Sequence, residues 1–85
     1  MKEFQYTITD PLGIHARPAG ELVKAAGEFP CRITIVKDER EVDAKRIMGV
    51  MSLGIKCGTT VTVKMDGEKE EEAFAALKHF FETTL

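Results

Sequence analysis

The sequence predicts an α+β fold: an open-faced β-sandwich in which a four-stranded antiparallel sheet carries three helices on one face, in the order β-α-β-β-α-β-α. Three observations predict it. Four segments alternate apolar and polar residues with a period of two, as strands with one buried face do. Two longer segments repeat apolar residues every three or four positions, as helices packed along one side do. The polar positions of the alternating segments, Gln5, Thr7, Thr34, Thr60, Thr62 and Lys64, supply a second sheet face that water can cover.

Phe4, Tyr6 and Ile8 alternate with Gln5 and Thr7, giving the first strand, and Asp10-Pro11-Leu12-Gly13 breaks it into a loop. From about Ala16 to Glu28 the period changes, and Ala19, Leu22, Val23 and Ala26 form a helical stripe. Pro18 suits an early helical position, where the N–H it lacks would have had no partner. The helix should end before Phe29-Pro30, because a residue preceding proline disfavours helical geometry. Cys31, Ile33 and Ile35 mark a second strand, Lys37 to Arg40 a polar turn, and Glu41 to Ala44 a short third strand completing a hairpin. Ile47 to Leu53 reads as a short helix stopped by Gly54. Val61, Val63 and Met65 define a strand over Thr59–Met65, and Asp66-Gly67 turns the chain. Glu68 to Thr84 closes the order as a helix, its early glutamates favoured by the dipole and its core stripe made by Ala73, Phe74, Leu77, Phe80 and Phe81.

Eighty-five residues imply one domain spanning the whole sequence. A domain this small buries only about 60% of its unfolded surface, which favours a surface function over a deep catalytic cleft. With a formal net charge of −2, the chain lacks the basic footprint of a nucleic-acid binder. No apolar run approaches the roughly 20 residues of a membrane span, and the first residues lack an apolar signal core, so a cytoplasmic location is expected. Cys31 and Cys57 form no Cys-x-x-Cys pair and read as reduced thiols, with a single disulfide between them as the alternative. Neither they nor His15 and His79 have metal-ligand spacing, so neither a metal nor a cofactor is expected.

The chemically informative segment is Gly13-Ile14-His15-Ala16-Arg17-Pro18-Ala19. It lies where a glycine-containing loop becomes a helix, and unpaired N–H groups at a helix start favour an anion. Ala16, Arg17 and Pro18 are the candidate phosphate-binding positions, Arg17 adding a guanidinium fork matched to phosphate oxygens. His15 would sit at the cap, where a neutral imidazole is a nucleophile. A histidine nucleophile beside a phosphate cradle is the minimum apparatus for a phosphohistidine. From the residues alone, an ordinary surface histidine near an unrelated arginine is the commoner reading.

Two motifs change that balance. The segment Gly13–Ala19 resembles the active-site signature of HPr, the histidine-containing phosphocarrier family of the bacterial phosphoenolpyruvate-dependent sugar phosphotransferase system. Lys45-Arg46-Ile47-Met48-Gly49-Val50-Met51-Ser52-Leu53-Gly54 resembles the family's second signature, and the resemblance covers essentially the whole chain. It implies that His15 accepts a phosphoryl group on Nδ1 from Enzyme I, that Arg17 stabilises it, and that a sugar-specific IIA domain receives it. It also implies a phosphocarrier and not a free-standing enzyme, and a carrier that must expose its site to large partners is expected to be a monomer. The first and short helices would then form one docking surface, with Ile47, Met48, Met51 and Leu53 facing Gly20, Lys24 and Gly27, and Arg46 beside them. Flexible methionines suit a surface that fits several partners. Val50 is expected in the core.

Many members carry a serine where this chain has Arg46, and a dedicated kinase phosphorylates it. Arg46 has no hydroxyl, so that layer of regulation should be absent. Gly20 and Gly27 are also less usual, each weakening a helix by about 1 kcal/mol relative to alanine. The competing expectation is a regulatory module of the same fold that docks an enzyme or a transcription regulator. Retention of both His15 and Arg17 favours the carrier.

Overall fold

The computed structural model describes residues 1–85. Strand β1 (Lys2–Thr7) leads into α1 (Ala16–Gly27), β2 (Arg32–Lys37), β3 (Arg40–Asp43), α2 (Ile47–Ser52), β4 (Thr60–Asp66) and α3 (Glu70–Thr84). The sheet order is β1-β4-β2-β3, and every neighbouring pair is antiparallel. The expected α+β open-faced sandwich is therefore the fold, with all three helices on one side of the sheet.

The period of two explains which face is covered. Ile33 and Ile35 on β2 and Val61, Val63 and Met65 on β4 are fully buried under Ala19, Leu22 and Ala26 of α1 and Ala73, Leu77 and Phe81 of α3. Phe4 packs edge-on against both Phe74 and Phe81, with ring centroids 5.7 and 5.5 Å apart, and Tyr6 reaches Phe81 at 5.7 Å. Such edge-to-face pairs add about 0.5–1.5 kcal/mol beyond the area they bury. Phe74 and Phe80, expected in the core, are half-buried at its margin. Both cysteines are free, Cys31 buried and Cys57 exposed.

Two expectations about the elements change. The last helix starts at Glu70, two residues later than the glutamate run suggests, because Lys69 adopts a left-handed conformation (φ 64°). The turn is closed by the Glu70 carboxylate, which accepts from the Gly67 N–H at 3.0 Å and pairs with the Met1 ammonium at 2.8 Å. Both hold that carboxyl below the usual range, the ammonium more strongly. Thr34, placed among the water-facing positions, is only 6% exposed. It lies on the open face as expected, on β2 with Lys64 and Asp43 as its partners on the two neighbouring strands.

Cations from the hairpin fix the helix ends. Lys37 Nζ donates to the carbonyls of Leu53 (3.0 Å) and Gly54 (3.3 Å), and Arg40 Nη1 donates to that of Ser52 (2.8 Å). Lys45 Nζ donates to the Phe29 carbonyl just past α1 at 2.6 Å. These bonds satisfy carbonyls that a helix leaves open and tie α1 and α2 to the hairpin.

Gly13 and Gly27 separate a required glycine from an unrequired one. At Gly13 φ is +67°, and a Cβ there would lie 2.3 Å from the Ile55 carbonyl oxygen and 2.7 Å from Lys56 Cα. At Gly27 a Cβ would meet nothing within 4 Å. We expect Gly13→Ala to destabilise by more than about 2 kcal/mol, whereas Gly27→Ala, in chemical denaturation of both variants, leaves stability unchanged or raises it by up to about 1 kcal/mol.

Candidate functional site

The site is built where β1 runs out. After Thr7 the chain pairs with the β4 approach, the Ile8 N–H donating to Thr59 O at 2.9 Å and the Ile8 carbonyl accepting from Gly58 N–H at 2.8 Å. Thr9 and Asp10 then donate their N–H groups to Leu85 O at 2.7 and 2.9 Å, which seats the end of α3 against the loop. Gly13 N–H closes the loop onto Asp10 O at 2.9 Å, and Ile14 N–H bonds Ile55 O at 3.1 Å. The buried Ile14 side chain anchors the last residue before the histidine.

His15 is therefore the N-cap of α1, in extended geometry (φ −97°, ψ −176°), with its carbonyl accepting from Ala19 N–H at 2.9 Å. Its side chain makes no capping bond and is 39% exposed. The N–H groups of Ala16 and Arg17 have no hydrogen-bond partner in the protein, and Pro18 has no N–H to offer. Of the three candidate phosphate-binding positions, two thus present free donors, while the buried Pro18 ring packs beneath them. A helix start of this kind favours an anion by about 0.3–1 kcal/mol.

Arg17 is 87% exposed, its Nε 3.7 Å from Glu21 Oε1 one turn along α1. An exposed pair at that spacing is worth little, about 0.3–0.5 kcal/mol, so the guanidinium is available to a stronger anion. Asp10, His15, Arg17 and Glu21, with Thr83 and Thr84 from the end of α3, line an open depression of about 380 Å³. It holds no apolar side chain other than the Pro18 ring. Its shape suits a small, charged, transient occupant and does not enclose a substrate.

Sequence reasoning missed Asp10 and Glu21, because the first read as a turn residue and the second as helix surface. The signal for Asp10 was its position in a Gly13-bearing loop five residues before the histidine.

Beside the depression lies an apolar surface. Met48 is 80% exposed, with Ile47 and Met51 also exposed on α2, and Leu12 in the loop joins the same class at 72%. Gly20 lies behind Ile47: a Cβ there would meet Ile47 Cδ1 at 3.9 Å. Lys24 and Gly27 are exposed farther along α1, and Arg46 is exposed at the α2 N-cap, its Nε 3.9 Å from Asp43 Oδ2. Leu53, grouped with this surface from sequence, is 4% exposed and belongs to the core. It is the C-cap of α2, where the chain turns inward before Gly54, so it supports the surface from below. Val50 is buried, as expected. No group of three or more His, Cys, Asp or Glu side chains could hold a metal ion, and no helix is long and apolar enough to cross a membrane.

A family model described as the PTS HPr component phosphorylation site matches residues 2–83. Phosphocarrier protein HPr of Lysinibacillus sphaericus is 47% identical over 77 residues, covering 91% of this chain and 88% of that protein. The HPr-like protein Crh of Halalkalibacterium halodurans is 44% identical over 82 residues, covering 96% of this chain and 98% of that protein. Among solved structures, a histidine-containing phosphocarrier protein studied for the divergence of mycoplasma from Gram-positive bacteria superposes with a TM-score of 0.94. It is 41% identical, covering 98% of this chain and 94% of that one. A match that runs through both helices of the site and every strand beneath it shows that the chain belongs to the HPr family, phosphocarrier proteins of the phosphotransferase system and not free-standing enzymes.

Proposed function

We propose that this chain carries a phosphoryl group on His15, received from phospho-Enzyme I and delivered to a sugar-specific IIA domain in the bacterial cytoplasm. The observation that carries the proposal is an exposed, uncapped imidazole at a helix start whose next two N–H groups are free. In the acceptor step, the Nδ1 lone pair of the neutral ring attacks phosphorus, and the bond from phosphorus to the donor breaks with its electron pair staying on the donor. The Ala16 and Arg17 amides and the Arg17 guanidinium receive the charged oxygens. Delivery runs the same step in reverse with the IIA nucleophile as acceptor. The chain supplies position and charge, while the partner supplies the rest of the enclosed site.

Ile47, Met48 and Met51, with Gly20, Lys24, Gly27 and Arg46, form the surface that docks both partners. Methionine side chains re-pack at little cost, which suits one surface to two differently shaped partners. The carrier acts as a monomer, which leaves the open depression at His15 accessible to large partners. Arg46 offers no hydroxyl at the position where the regulated members hold serine, so the serine kinase does not modify this position.

Incubation with Enzyme I, Mg²⁺ and phosphoenolpyruvate should add one acid-labile phosphoryl group by intact mass, and His15→Ala should add none. Absence of transfer to the folded parent protein would favour instead a regulatory module that docks an enzyme or a transcription regulator. Met48→Ala should raise the KM for Enzyme I by about fivefold, with thermal unfolding unmoved because the side chain is exposed. An unchanged KM would remove Met48 from the docking surface.

A further inference from the structure

Given the carrier role proposed for His15, and resting on it, we infer that Asp10 is a positioning residue for phosphotransfer: its carboxylate faces Nε2 of His15, keeps the ring proton on that nitrogen and leaves Nδ1 as the nucleophile. Asp10 Oδ2 lies 3.9 Å from His15 Nε2. That is an ion-pair distance and not a closed hydrogen bond, as is common in unligated sites whose bonds tighten as charge develops.

The carboxylate is held in place before any partner arrives. Its other oxygen, Oδ1, accepts from the Leu12 N–H at 2.9 Å, which leaves Oδ2 turned toward the histidine. The main chain of Asp10 is fixed at both polar groups, its N–H on Leu85 O and its carbonyl on Gly13 N–H, each at 2.9 Å. The side chain is 24% exposed, less than the histidine it faces. An aspartate on a free loop would lose much of its effect to side-chain entropy, whereas this one has already been ordered by the turn.

Charge balance gives Asp10 its role in the step. When Nδ1 of the neutral ring bonds phosphorus, the bond from phosphorus to the donor breaks with its electron pair staying on the donor. No proton leaves the ring, so the imidazole becomes cationic with its proton still on Nε2. A carboxylate facing Nε2 opposes that charge, and does so on the side of the ring away from the phosphoryl group. A second carboxylate, Glu21, lines the same depression but faces Arg17, so its effect on the ring is indirect. The logic is that of a buried aspartate orienting a catalytic histidine, here at a partly exposed site and so of smaller size.

The test compares the parent protein with Asp10→Asn and Asp10→Ala in two measurements. Long-range ¹H–¹⁵N correlation of the imidazole, at a pH where the ring is neutral, reports which nitrogen holds the proton. The initial rate of phosphorylation by Enzyme I and phosphoenolpyruvate reports the transfer. Asp10→Asn keeps an oxygen for the Leu12 N–H and loses the charge. We expect both variants to populate the Nδ1-protonated form above the parent level, and kcat to fall about fivefold with KM little changed. Parent-like ring spectra and parent-like kcat in both variants would overturn the inference and leave the carrier role standing. A parent protein that accepts no phosphoryl group would overturn both.

Discussion

The approach of Gly13 to the Ile55–Lys56 backbone is the constraint on which the site depends. Ile14 donates to the Ile55 carbonyl at 3.1 Å, and no side chain fits between the two segments at Gly13. This contact fixes where the chain leaves the β1 side of the sheet and the direction in which α1 begins. With Ile14 buried on one side of His15 and Ala19 on the other, the histidine falls on the single exposed turn between two anchored points. Burying the residues that flank His15 thus determines how far its ring projects. The backbone of the site is hydrogen-bonded into place and its surroundings are open, which suits a residue that carries a transferred group.

The remaining architecture serves the same end. A small sheet cannot bury a cleft and still keep a core, and here the core is used up in joining sheet to helices. Stability comes from apolar residues at alternate strand positions and from the aromatic cluster around Phe81, on the side of the sheet that the helices cover. Lys37, Arg40 and Lys45 spend their charges on helix-end carbonyls, so α2 can expose Met48 without loosening. Arg17 keeps its charge weakly paired with Glu21 and ready for phosphate oxygens. Charges that hold the fold and charges that serve the site are therefore carried by different residues.

Much of the fold was legible in the residues because burial imposes its period on them: Ile33 and Ile35, Val61, Val63 and Met65, and Leu77 and Phe81 all declare their faces. The start of α3 was not legible, since a run of glutamates permits a helix from Glu68 onward and only the left-handed Lys69 delays it. Leu53 and Met48 lie on one short apolar run and look alike in sequence. The turn at the end of α2 sends one inward and leaves the other outside. At the site, His15 and Arg17 were readable from their place at a loop-to-helix junction. The facing of Asp10 on Nε2 was not, because it arises from a turn hydrogen bond to Leu12 and from the docking of Leu85 on the loop, across most of the chain length.

The most direct test of the account is a phosphorus-coupled ¹⁵N spectrum of the phosphorylated protein, with histidine labelled in the ring. A helix start that offers its free amides to phosphate, and a carboxylate that occupies the opposite side of the ring, predict phosphorus coupled to Nδ1 of His15. Phosphorus coupled to Nε2, or found on any other residue, would contradict the geometry on which the function has been built.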